Sequence, residues 1–190
     1  MHLDFGEVIR WLWISLGFFW IAGWLGSKPS ARSQTSSSRW LQLSFELAAF
    51  YLLLYKLGLP ASLRLRVLPD SPTANWGAVG LVAAGAWFAV WARLSLGTNW
   101  SARVTIKDQH ELIQTGPYAF VRHPIYSGLL LMVLGTAVEI GQIRGFLALA
   151  LAFTGWYLKS RTEDAFMEQH FGNEYARYKQ HVKALIPGIF

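Results

Sequence analysis

The sequence predicts an all-α integral membrane protein with about five transmembrane helices, on three observations. Hydrophobic residues make up 53% of the chain and charged ones only 15%, with a mean hydropathy of +0.29. That balance suits a solvent more apolar than water. Several apolar runs approach the roughly 20 residues that a helix needs to cross the hydrocarbon layer. Ten Trp and seven Tyr supply amphipathic rings, which favour the headgroup level.

The first expected helix covers residues 8–26 and is rich in Trp, Phe, Ile and Leu. Asp4 and Glu7 precede it, where a cleaved signal peptide carries positive charge, so the helix is expected to be permanent. A polar loop, 27–39, follows with Pro29, several Ser and the basic Lys28, Arg32 and Arg39. The second helix, 40–59, stops at Pro60, and the third, 76–96, is built largely from Ala and Gly alternating with Trp and Val. Residues 97–123 mix Gly, Asn, Asp, Thr and Pro and are read as non-spanning. The fourth helix, 124–140, and the fifth, 145–158, are short and joined by 141–144, as in a tight helical hairpin. Residues 161–182 are polar, yet Met167, Phe171, Tyr175 or Tyr178, and Val182 recur near helical spacing. This predicts an amphipathic helix that Gly172 bends or breaks, since Gly is unfavourable inside a helix. The chain is thus one membrane domain, 1–190. Three helices fill 1–96, and 97–190 holds two more and the amphipathic helix.

The net charge of +6 would suggest nucleic acid on a soluble protein. Here the basic residues fall between apolar runs, so the expected partner is a bilayer and no nucleic acid is expected. With five spans, Lys28, Arg32, Arg39, Arg93, Arg103, Lys107, Arg122, Lys159, Arg161, Arg177, Lys179 and Lys183 share one side. Only Arg10, Lys56, Arg64, Arg66 and Arg144 share the other. Cytoplasmic loops carry the excess of Lys and Arg. The third loop and the C-terminus are therefore expected in the cytoplasm and the N-terminus outside. The chain has no cysteine, which excludes disulfides and thiolate metal sites; no metal is expected.

The chemistry is concentrated in Gly116-Pro-Tyr-Ala-Phe-Val-Arg-His-Pro-Ile-Tyr-Ser-Gly128. Pro124 suits the first turn of a helix, where its missing N–H costs nothing. Arg122 and His123 then stand at a helix N-terminus, which has spare N–H groups and partial positive charge. The arrangement suits a small anionic group at the membrane surface; interfacial anchoring by Arg and Tyr is the plainer reading. The second constellation is Glu163-Asp164, just after the fifth helix. It reads either as favourable charge at a helix start or as an anionic contact level with Arg122 and His123. A ligand with one carboxylate and one amine would need both signs of charge.

Leu96-Gly-Thr-Asn-Trp-Ser101, Gly116-Pro-Tyr118 and Arg122-His-Pro-Ile-Tyr126 occur in this order. Glu163-Asp164, Phe171-Gly-Asn-Glu-Tyr175, Tyr178 and Ile186-Pro187 follow. In order and spacing this resembles the isoprenylcysteine carboxyl methyltransferase family, over about half the chain. The resemblance implies S-adenosylmethionine as cofactor and a fold unlike the soluble Rossmann methyltransferases. It further implies a cytoplasmic pocket between the segment before the fourth helix and the C-terminal amphipathic helix. Carried over, His110, Leu112, Ile113, Tyr118, Arg122, His123, Pro124, Tyr126, Glu163 and Asp164 would bind the cofactor. Lys159 and Arg161 would orient the substrate, in the place where the family carries an Arg. The family usually has two Glu where this chain has Glu163-Asp164. Implied is methyl transfer to a lipid-like or small apolar substrate, foremost O-methylation of a prenylcysteine-type carboxylate. The alternatives are a phospholipid N-methyltransferase and an NADPH-dependent membrane enzyme like the sterol reductases, which usually carry Asn at the position of Ile125.

Overall fold

A computed structural model describes residues 4–25, 36–55, 58–97 and 112–189. Among them the chain forms six α-helices: α1 Phe5–Leu25, α2 Ser36–Leu54, α3 Pro72–Leu96, α4 Pro124–Ile140, α5 Ile143–Phe171 and α6 Asn173–His181. Single 3-10 turns lie at Ala61–Arg64 and Gly116–Ala119. There is no strand among the described residues.

All five expected long helices are present, and capping explains the early starts of α1 and α3. The Asp4 carboxylate accepts from Glu7 N at 3.1 Å, so α1 starts before the apolar run does. Ser71 Oγ accepts from Ala74 N at 3.2 Å, and Pro72 opens α3 at a position that needs no N–H donor. α2 begins at Ser36, inside the expected polar loop, and ends at Leu54 rather than 59. The largest difference is α5. The fifth span and the start of the amphipathic helix are one rod of 29 residues, about 44 Å long at 1.5 Å per residue. No Gly or Pro interrupts it between Trp156 and Phe171, so nothing ends the helix where its side chains turn polar. Gly172 ends it with φ +52°, a conformation that costs Gly little.

Helices α1 and α3 are long and apolar enough to cross a membrane, and α4 is a shorter apolar helix. Large side chains on their outer faces, among them Phe18, Trp87 and Leu94, are more than 60% exposed. The interior is built by close approach. A Cβ on Gly85 would stand 2.5 Å from Gly128 O, and one on Gly128 would stand 2.6 Å from Gly85 O. Farther along, a Cβ on Gly135 would meet Ala78 O at 2.7 Å. Small residues let α3 and α4 pack backbone to backbone, as helices in lipid do. On the other side of α4, Gly145 of α5 meets Ala137, and Gly155 receives Phe45 of α2.

The helix ends gather into two groups. At one end Phe5 rests edge-on against Trp76, Val67 N donates to Gly141 O, and Arg66 pairs with Gln142 in an isolated bridge. Arg144, 2% exposed, donates from its guanidinium to Leu52 O and Leu53 O and so caps α2 there. At the other end Arg93 donates to Gly23 O, and Gln42 to Thr162. That second end also carries residues 112–123, the polar half of α5 and all of α6.

Candidate active site

The two motifs of the sequence, some 40 residues apart, meet at this second end. Pro124 is the buried first residue of α4, which places His123 at its N-cap with the ring turned inward. α5 brings Glu163 and Asp164 against that ring from its polar half. His123 Nε2 lies 2.8 Å from Asp164 Oδ1, and Nδ1 lies 3.2 Å from Glu163 Oε2. The imidazole is thus held by a carboxylate on each nitrogen, an arrangement that requires both nitrogens to donate. Burial opposes the cation, but the hydrogen bonds to Asp164 and Glu163 outweigh it and raise the imidazole above its ordinary 6.5.

Asp164 is the hub. Its side chain is 4% exposed and gathers donors from His123, Arg122 Nη2 at 2.8 Å and the Tyr175 hydroxyl at 2.5 Å. Burial opposes its charge, yet the bonds from His123 and Arg122 hold the carboxyl well below the usual carboxylate range. In turn, burial and the Asp164 charge push the Tyr175 phenol far above its ordinary value, so it remains a donor. Arg122 spends the rest of its guanidinium on backbone: Nη1 donates to Val182 O and, at 3.5 Å, to Lys179 O. The anion that Arg122 meets is the chain's own.

Glu163 is the more open member of the pair, with its side chain 26% exposed. It accepts from the Tyr126 hydroxyl at 2.6 Å. Burial resists its ionisation, but the His123 hydrogen bond and charge prevail and keep it below its ordinary range. Tyr126 lies nearly parallel to the His123 ring (centroids 5.7 Å apart) and to Trp156 (6.5 Å). Lys159 Nζ stands over the Tyr126 ring, 5.2 Å from its centroid. Lys159 and Glu163 are one helical turn apart, so opposite charges flank Tyr126.

Backbone closes the site. Residues 183–185 run beside the entrance to α4: Arg122 N donates to Lys183 O, His123 N to Ala184 O, and Ser127 Oγ to Leu185 O at 2.6 Å. The 3-10 turn before α4 is fixed by Tyr118, whose carbonyl accepts from the Tyr178 hydroxyl at 2.6 Å. A cavity of about 500 Å3 opens between this turn and α6, bordered by Gln114, Ala119, Glu174, Arg177 and His181.

Of the residues expected from sequence, Arg122, His123, Tyr126, Lys159, Glu163 and Asp164 are brought together, with Pro124 supporting them. Tyr118 is buried beside α6. Leu112 and Ile113 are half-buried in the chain that leads into the 3-10 turn. Arg161 is exposed and points back along α5, donating to the Tyr157 hydroxyl at 3.4 Å. His110 lies outside the described residues. Sequence reasoning missed the hydroxyl of Tyr175 on Asp164, the Trp156 platform and the closure by 183–185. A Tyr rather than a Phe on the inner stripe of α6 was the available signal for the first; nothing local announces the other two.

Comparison with known proteins gives a consistent result. The family model for phospholipid methyltransferase matches residues 73–174, more than half of the chain. The chain is 38% identical over 88 residues to a probable protein-S-isoprenylcysteine O-methyltransferase of Oryza sativa subsp. indica, covering 46% of each. It is 31% identical over 115 residues to the protein-S-isoprenylcysteine O-methyltransferase of Schizosaccharomyces pombe, covering 59% of this chain and 49% of that one. A third relative is the cobalt-zinc-cadmium resistance protein CzcN of Cupriavidus metallidurans, 34% identical over 97 residues, or 50% of this chain and 44% of that one. The chain spans about half the length of these curated relatives.

Proposed function

The chain belongs to the phospholipid methyltransferase family, and from that premise we propose that it is a membrane methyltransferase. It moves a methyl group from S-adenosylmethionine to a lipid-like or small apolar acceptor, foremost by O-methylation of a carboxylate. The observation that carries this reading is the convergence of Arg122-His123-Pro124-Ile125-Tyr126 on Glu163-Asp164 within the matched region. The names of the rice and fission-yeast relatives favour the prenylcysteine-type carboxylate. Five spans, α1 to α5, alternate in direction, with the site at the cytoplasmic end.

The donor set fits the cofactor. An amino-acid head carries one carboxylate and one ammonium group. The partly exposed Glu163 and the Lys159 ammonium offer both opposite charges on one face of α5. Tyr126 and Trp156 add an aromatic wall beside them. When bound, S-adenosylmethionine supplies a methyl group already activated on a sulfonium. The protein's task is then orientation and exclusion of water. Asp164, Arg122 and Tyr175 act as positioning residues that hold His123 and, through it, Glu163. A carboxylate acceptor needs no general base, which agrees with a site whose imidazole is held as a cation.

Calorimetric titration of detergent-purified protein with S-adenosylhomocysteine, and with NADPH as the control, tests the reading. Saturable binding of S-adenosylhomocysteine alone is expected. Glu163→Gln and His123→Ala are each expected to weaken it tenfold or more, about 1.4 kcal/mol. Binding of NADPH instead, or unchanged affinity in both folded variants, would sink the assignment.

A further inference from the structure

Residues 182–189 leave α6 and return along the entrance of α4. Their backbone is fixed there by the bonds from Arg122, His123 and Ser127. Leu185 is 1% exposed and belongs to the apolar cluster of Ala49, Leu130, Val133 and Trp156. Ser127, whose hydroxyl donates to Leu185 O, lies three residues inside α4, about 4.5 Å along its axis. The segment therefore runs level with the first turn of α4 rather than above the helix ends. α4 itself has 17 residues, about 26 Å at 1.5 Å per residue, slightly less than the roughly 30 Å hydrocarbon layer. Its first turn must then sit at the boundary between acyl chains and headgroups.

Just past Leu185 the chain makes a tight turn, with Ile189 N donating to Ile186 O at 3.2 Å and Gly188 at φ +74°. The turn holds Ile186 and Ile189 outward, 39% and 75% exposed, with Pro187 exposed between them. Lys183, also exposed, precedes it. An apolar tip at the depth of the first turn of α4, with a cation on its headgroup side, has the chemistry of an interfacial anchor. We propose that the turn 186–189 inserts into the acyl boundary of the bilayer, with the Lys183 ammonium on anionic lipid headgroups. The anchor rests on the membrane-spanning reading of α1 to α5. Because residues 183–185 also close the site, the anchor fixes the site against the membrane surface.

The absence of cysteine makes the test clean. Single-cysteine variants Ile189→Cys, Phe18→Cys in mid-α1 and Gln169→Cys on the polar half of α5 are spin-labelled and reconstituted into phosphatidylcholine vesicles with and without phosphatidylglycerol. Collision with oxygen, which concentrates in acyl chains, is compared with collision with a water-soluble nickel chelate. The label at 189 is expected to match Phe18, with nickel accessibility several-fold below that at Gln169. Nickel accessibility equal to that at Gln169 overturns the anchor, and exclusion of both reagents overturns it in favour of a covering protein surface. Were the Phe18 label itself open to nickel, the spanning reading would fail and the anchor with it. Lys183→Glu in the Ile189→Cys background is expected to make the label shallower only in vesicles containing phosphatidylglycerol. An effect independent of lipid charge, or none, overturns the headgroup contact.

Discussion

Asp164 shows how a buried charge is made tolerable: both the charge and the lone pairs must be answered. A carboxylate in a low-dielectric setting costs several kcal/mol unless it is paired and hydrogen-bonded. Here Arg122, His123 and Tyr175 answer it together. Asp164→Asn keeps the size and removes the charge, leaving two buried cations short of a partner. The expected loss is about 3–5 kcal/mol, read as a lower midpoint of thermal unfolding in detergent, whereas Arg161→Ala on the exposed face should leave that midpoint nearly unchanged. His123 adds a pH dependence. Its pKa is raised on folding, so the stabilisation is complete below 6.5 and is lost as pH climbs through the raised folded value. The unfolding midpoint should therefore fall as the medium becomes alkaline, and His123→Gln should flatten that slope; a slope kept in the variant would assign the titration elsewhere. The residues of this cluster were legible as two charged motifs. Their pairing was not, because a sequence shows which groups lie at a membrane surface and not that each already satisfies the other.

At the scale of elements, the contact between α3 and α4 depends on missing side chains. A Cβ at position 128 would approach Gly85 O to 2.6 Å and Ala89 N to 2.8 Å. Both are backbone atoms that cannot swing away. Gly128→Ala is expected to destabilise by about 1–3 kcal/mol, the usual cost of overpacking. Gly80→Ala, on the same pair of helices but with nothing near its Cβ, should be neutral or stabilise slightly through helix propensity. Equal unfolding midpoints for the two variants would show that the helices are not in close contact. Apolar runs located all five long helices, since burial or lipid exposure is written in composition. Their ends were less legible because Asp4 and Ser71 act through single hydrogen bonds. The continuity of α5 escaped for a different reason. A change from apolar to polar side chains marks where a helix changes solvent, not where it stops.

For the whole molecule, the helices place Arg39, Arg93, Arg122, Lys159, Arg161, Arg177, Lys179 and Lys183 at one end. Arg10, Arg64, Arg66 and Arg144 stand at the other. Arg144 hardly counts as surface charge, because it is buried and spends its donors on the carbonyls of Leu52 and Leu53. With Arg144 set aside, the basic residues still gather at the end that carries the site, which is the cytoplasmic end in the proposed topology. Two exposed positions test this. Ser62 sits in the 3-10 turn at the less basic end, and Gln169 at the far end of α5. In intact cells a membrane-impermeant thiol reagent should label Ser62→Cys directly and Gln169→Cys only after permeabilisation. The reverse order would invert the protein and put the site on the side without S-adenosylmethionine, which is made in the cytosol. Labelling of both in intact cells would mean that α5 and the chain before α3 emerge on one face, and an alternating bundle would then be impossible.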